Sequence, residues 1–257
     1  MALAPSKWIN ELQDMLAHHI DSGQELDVFS YRKIVSQADK IPDDPLRLMI
    51  LALASGAAGK NDDALFYFKE GVKYRDDIVA RNYLSYLSHT GQYELYREEA
   101  VKLAKQMDSF PLFIRARNAA YASGDAELSL FFARKAMSMT GDEQVRARME
   151  CEIKVRDAML NDFMRITNLS TEEISTLTMT VAGIARKYGV LAVAHDYYTS
   201  DDGDAAIICD VLCLDDDMIS DMDIDIATEL AVSDTFSDKN ITAWFRGKDK
   251  SEVPAPL

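Results

Sequence analysis

The chain has 257 residues, 48% of them hydrophobic and 28% charged, enough to bury a core without disulfides or metals. This composition belongs to folded proteins and not to disordered, collagenous or low-complexity chains. The 28 Lys and Arg face 43 Asp and Glu, a formal net charge of −15, which argues against a chain that grips nucleic acid or an anionic membrane by charge. Met1 to Lys7 shows no signal-peptide pattern and no apolar run is long enough for a transmembrane helix. The three cysteines, Cys151, Cys209 and Cys213, form no CxxC pair. These features predict free thiols in a reducing, cytoplasmic compartment.

The first half of the sequence is helical and periodic. Gly23, Gly59, Gly91 and Gly124 each separate two apolar-periodic segments. Each fits the tight turn of a helical hairpin, where glycine supplies the positive φ that ends the first helix. Leu48, Leu51, Ala52 and Ser55 share one face before Gly59, and Ala64, Phe68 and Gly71 share one after it. Tyr83, Leu84 and Leu87, then Tyr96, Ala100 and Leu103, flank Gly91 in the same way. Ala116, Ala119 and Ala120, then Ser129, Ala133 and Ala136, flank Gly124.

A helix-turn-helix unit recurring about every 34 residues resembles the tetratricopeptide repeat family. Ala119-Ala120-Tyr121-Ala122-Ser123-Gly124-Asp125 looks like the end of a first repeat helix, and Arg134-Lys135-Ala136-Met137 like the end of a second. The trio Ala64, Phe68 and Gly71 matches the small, aromatic, small pattern of a second helix. The resemblance covers about residues 8–140. Tyr96 and Arg117 stand where the family places small residues, and its closing Pro is missing after the Gly59 and Gly91 units. The resemblance implies an α-solenoid whose first helices line a groove for a peptide or helix. Aligning the repeats puts Met49, Leu53 and Ala57, then Arg81, Ser85 and His89, then Ile114, Asn118 and Tyr121 in that groove.

Asp142 to Ile166 reads as a long charged helix. Ser170 and Glu173 form a capping-box pair that opens another, running to about Lys187 and stopping at Gly189. These two helices would cap the solenoid. Val190 to Tyr198 and Ala205 to Leu214 then read as strands joined by an Asp-Gly turn, the second apolar on both sides and therefore central. Ile219 to Val232 reads as a helix with Ile224, Ala227 and Ala231 on one apolar face and Leu230 beside them, and Asn240 to Arg246 as a third strand. The expected fold is mostly α: a helical-repeat domain over 1–188, a small α+β module over 189–250 and a mobile tail over 251–257.

The charge is concentrated. Residues 189–238 hold 14 of the 43 acidic residues and no Lys or Arg, leaving 29 acidic against 28 basic in the rest. Three readings of this stretch compete: a solvated face, a docking surface for a basic partner, and a carboxylate centre. The acidic surface would comprise Asp201, Asp202, Asp204, Asp215, Asp216, Asp217, Asp221, Asp223 and Asp225. Asp221-Met222-Asp223-Ile224-Asp225 is not a calcium loop, because Ile226 and Val232 occupy the positions that need Gly and Glu. Asp210 lies among apolar neighbours and needs a hydrogen-bonding partner if buried. Cys209, His195 and Asp196 can be drawn as a nucleophile set, but nothing in the sequence signals an activated thiol. The common phosphate-binding, zinc and acyl-transfer motifs are absent.

The sequence thus predicts a non-enzymatic adaptor, chaperone or inhibitor without cofactors. One partner would sit in the groove and a basic one on the acidic module, with mimicry of a nucleic acid as a special case. It would bind neither nucleic acid nor membrane directly. The competing expectation is a metal-dependent hydrolase, which requires three or more of Asp196, Asp204, Asp210, Asp215, Asp223 and Asp225 to converge.

Overall fold

A computed structural model describes residues 7–249 and 251. The tail expected over 251–257 lies outside the described residues except for Ser251. The described residues form eleven α-helices and three strands, so the protein is mostly α with a small α+β part. By contact density the chain forms two compact units, Met1–Gln92 and Tyr93–Leu257.

The first unit contains α1 (Lys7–Ser22), α2 (Val28–Ala38), α3 (Asp44–Ala57), α4 (Asn61–Gly71), a 3-10 turn (Val72–Tyr74) and α5 (Asp77–His89). Asp27, Asp43 and Asp76 cap α2, α3 and α5 by accepting bonds from backbone N–H groups of the first turn. α3 is apolar nearly all round and takes the centre. α1, α2, α4 and α5 pack against it. Phe68 of α4 lies 5.3 Å, centroid to centroid, from both Tyr83 and Tyr86 of α5. The Tyr86 hydroxyl donates to Asn61 Oδ1 at 2.8 Å.

The second unit contains α6 (Tyr93–Gln106), α7 (Phe110–Ala122), α8 (Ala126–Met139), α9 (Glu143–Thr167), α10 (Thr171–Lys187), β1 (Ala192–Thr199), β2 (Ala205–Val211), α11 (Asp216–Val232) and β3 (Ile241–Gly247). The four glycines at the repeat spacing all have positive φ, and α3 with α4 and α7 with α8 pack as hairpins. Gly124 has a second reason to be glycine: a Cβ there would stand 2.7 Å from Ile174 Cγ2 of α10. Arg117, at a position where a repeat expects a small residue, is buried and donates to Glu152 Oε1 of α9 at 3.2 Å. The capping box at Ser170 and Glu173 forms as expected, with both reciprocal bonds present.

The sheet has the order β1-β2-β3. β1 and β2 form an antiparallel hairpin, while β3 returns through α11 to lie parallel to β2. Cys209 pairs with His195 on one side and Phe245 on the other, so the three lie on one face of the pleat. That face joins Tyr197, Ile207 and Val211 to Phe163 of α9, Leu177 and Val181 of α10, and Met222, Ile226 and Leu230 of α11 in one core. The strands therefore share a hydrophobic core with α9 and α10, and the division between units falls at Gln92/Tyr93 instead of 188/189.

Two details differ from the sequence reading. β2 ends at Val211, and α11 starts at Asp216 because Asp215 accepts from the N–H groups of Asp217 and Met218. The inward stripe of α11 is Met222, Ile226 and Leu230, whereas Ile224, Ala227 and Ala231 face outward. One Met, one Ile and one Leu bury more apolar area than one Ile and two Ala, so the larger stripe wins the core.

Candidate functional site

The outer face of the sheet carries the carboxylate singled out in the sequence. Asp210 has 14% of its side chain exposed and receives Arg246 Nε at 2.6 Å. The same guanidinium binds Asp196 Oδ2 at 2.9 Å. These three residues come from β2, β3 and β1, so one Arg ties all three strands. The bonds to Asp210 foremost raise the Arg246 pKa above its ordinary value. Beside them Tyr198 and Trp244 lie with ring centroids 6.3 Å apart.

The remaining carboxylates of the hydrolase expectation have separate tasks. Asp223 Oδ1 accepts from the Phe245 backbone N–H at 2.7 Å, which satisfies the outer edge of β3. Asp225 Oδ2 binds Lys187 Nζ at 2.6 Å and the Tyr188 hydroxyl at 3.1 Å, and these bonds hold its pKa below the usual carboxylate value. Asp215 caps α11. Asp204 accepts from Asn240 Nδ2 at 3.3 Å. Among the described residues, no group of three or more His, Cys, Asp or Glu side chains is placed to hold a metal ion.

The nucleophile set is not assembled. His195 and Cys209 are neighbours on the inner face, while Asp196 points to the opposite face and Arg246. Burial pushes the Cys209 thiol up, away from thiolate. Burial, with the Arg97 charge adding to it, lowers the His195 pKa to about 3. The imidazole is therefore neutral at physiological pH, and its Nε2 is buried without a hydrogen-bond partner among the described residues.

Arg97 of α6 is a polar tie within the second unit. It donates to Thr178 Oγ1 at 2.8 Å and, at 3.4 Å, to Ser175 Oγ and the Ala122 carbonyl. It thereby joins α6 to α10 and to the C-terminal end of α7, where a cation is favoured.

Of the other acidic-surface residues, Asp201 and Asp202 lie at the hairpin tip, and Asp216, Asp217 and Asp221 on the first turns of α11. All five are exposed. Asp204 and Asp215 are exposed too, whereas Asp223 and Asp225 are half-buried by the bonds described above.

The expected groove residues fare differently. Met49 and Leu53 are buried in the first unit, at 0% and 3% exposure, and offer no surface to a partner. α3 turns these positions into core because it is surrounded by helices. Tyr121 is buried too, its ring edge-on to Tyr197 at 5.1 Å. Arg81, Ser85 and His89 are half-buried on α5. Arg81 pairs with Asp77, and His89 Nδ1 lies 2.8 Å from the Ser85 carbonyl. Asn118 is exposed, and its Oδ1 accepts from both Arg117 and Arg156.

The sequence reading did not find Arg246 as the partner of Asp210, nor Met222, Ile226 and Leu230 as the core stripe of α11. Alternation along β3 puts Arg246 on one face with Trp244, but its pairing with Asp210 depends on β3 lying parallel to β2. The spacing of Met222, Ile226 and Leu230 was a legible signal for the second. Comparison with family models, curated proteins and solved structures finds no match for this chain.

Proposed function

We propose that this chain is a non-enzymatic protein–protein interaction protein, an adaptor, chaperone or inhibitor, whose acidic C-terminal part docks a basic partner surface. One observation carries this reading. Of the six carboxylates that a hydrolase would gather, Asp196 and Asp210 share Arg246 and the other four are given to separate bonds or caps, while Asp201, Asp202, Asp216, Asp217 and Asp221 stay exposed in a stretch without Lys or Arg. Such a predominantly acidic surface steers a basic partner and repels acidic ones. The helical part serves as a degenerate tetratricopeptide-like scaffold, a reading supported by the four positive-φ glycines at repeat spacing. A reducing cytoplasmic setting fits the three free cysteines. No helix among the described residues is long and apolar enough to cross a membrane.

The test compares the full chain with a variant carrying Asn at 201, 202, 216, 217 and 221 as bait for proteins of the native host. These side chains are exposed, so the variant keeps the fold. The expected result is a basic protein retained by the wild type and lost by the variant. Identical retention by both baits contradicts the reading.

A further inference from the structure

α11 carries two apolar stripes, and the fold uses one. Met222, Ile226 and Leu230 enter the core. About 150° round the helix, Ile224, Ala227, Thr228, Ala231 and Val232 follow the spacing i, i+3, i+4, i+7, i+8 and are all exposed. Ile224 is 63% and Val232 72% exposed. A stripe with this spacing is the pattern by which a helix seats another helix. On the preceding turns the same outward side bears Asp217 and Asp221, and Asp216 and Glu229 flank it. α11 contains no Lys or Arg.

From this arrangement we infer that the outward stripe of α11 seats a basic amphipathic helix of a partner protein. The partner's apolar face would cover Ile224, Ala227, Ala231 and Val232, and its Lys or Arg residues would meet Asp217 and Asp221. Charge selects this occupant. A second copy of the acidic stripe would be repelled, as would an anionic membrane or nucleic acid. The apolar stripe runs for about 12 Å, and for about 22 Å with the acidic turns from Asp217, so the contact has the size of a transient interface. The inference rests on the docking function proposed above and adds the shape of the partner.

The probe is a synthetic peptide of Leu and Lys with Leu at i, i+3, i+4, i+7 and i+8, against a scrambled peptide of the same composition that cannot form the stripe. Each is titrated into the full chain at low ionic strength, and fluorescence anisotropy reports the affinity. Two variants accompany the wild type: Ile224→Ser, which leaves the charge unchanged, and Asp216→Asn/Asp217→Asn/Asp221→Asn. The expected result is about tenfold tighter binding of the striped peptide, a preference that Ile224→Ser abolishes. Equal binding of both peptides, weakened by the Asn variant but not by Ile224→Ser, overturns the helix seat and leaves the acidic docking function standing. No binding of either peptide overturns both.

Discussion

Single side chains decide how the acidic part holds together. Asp223 is a half-buried carboxylate whose task is to accept from a strand-edge N–H, and removing it leaves that donor unpaired. Asp223→Ala is therefore expected to lower stability to urea by about 1–2 kcal/mol, and Asp223→Asn, which keeps an acceptor, by less. Equal losses in the two variants would show that the bond contributes little. His195 gives a pH dependence. Its folded pKa is lowered from 6.5 to about 3, so between these values the unfolded chain binds a proton that the folded chain does not. Its contribution to stability is present above pH 6.5 and is lost progressively as the pH falls towards 3. His195→Gln should flatten the loss of stability between pH 6.5 and 4 in denaturant titrations, and an unchanged slope would contradict a buried neutral imidazole. Arg246 shows what the sequence hid at this scale: Asp210 visibly needed a partner, but the choice depended on β3 lying parallel to β2 through α11. No local pattern encodes that crossover.

At the scale of elements, the turns and caps were the most legible part, because their chemistry is local. The glycine turns and the Ser170 capping box all form where the spacing placed them. Gly124 combines positive φ with the close approach of Ile174, whereas a Cβ at Gly23 meets nothing within 4 Å. Gly23→Ala is expected to cost about 1–2 kcal/mol from backbone strain alone, and Gly124→Ala more. Adding Ile174→Ala to Gly124→Ala should recover part of that extra loss in a double-mutant cycle; full additivity would contradict the contact. The rotation of α11 was harder to read, because it has apolar residues on both sides. Its core face is set by which stripe fills the space over Ile207, Cys209 and Phe245, a tertiary fact. Met49 and Leu53 left the expected groove for a related reason. Repeat spacing marks one face of α3, yet helices surround α3 so that Met49 and Leu53 are buried.

For the whole molecule, the mostly helical class and the run of β1, β2, α11 and β3 follow from periodicity. The grouping of the strands with α9 and α10 does not, since a shared core leaves no mark in composition. The charge asymmetry was legible in full, because fourteen acidic residues without a Lys or Arg over 189–238 is a property of the sequence itself. What the structure adds is the division between carboxylates committed to the fold and those left exposed. The central claim is that this exposed charge brings a basic partner to the protein. Its most direct test is the association rate of the partner captured by the full chain, measured across ionic strengths for the wild type and the five-position Asn variant. The account predicts a rate that falls steeply with salt for the wild type and a slower, nearly salt-independent rate for the variant. Equal rates with the same salt dependence for the two proteins would contradict it.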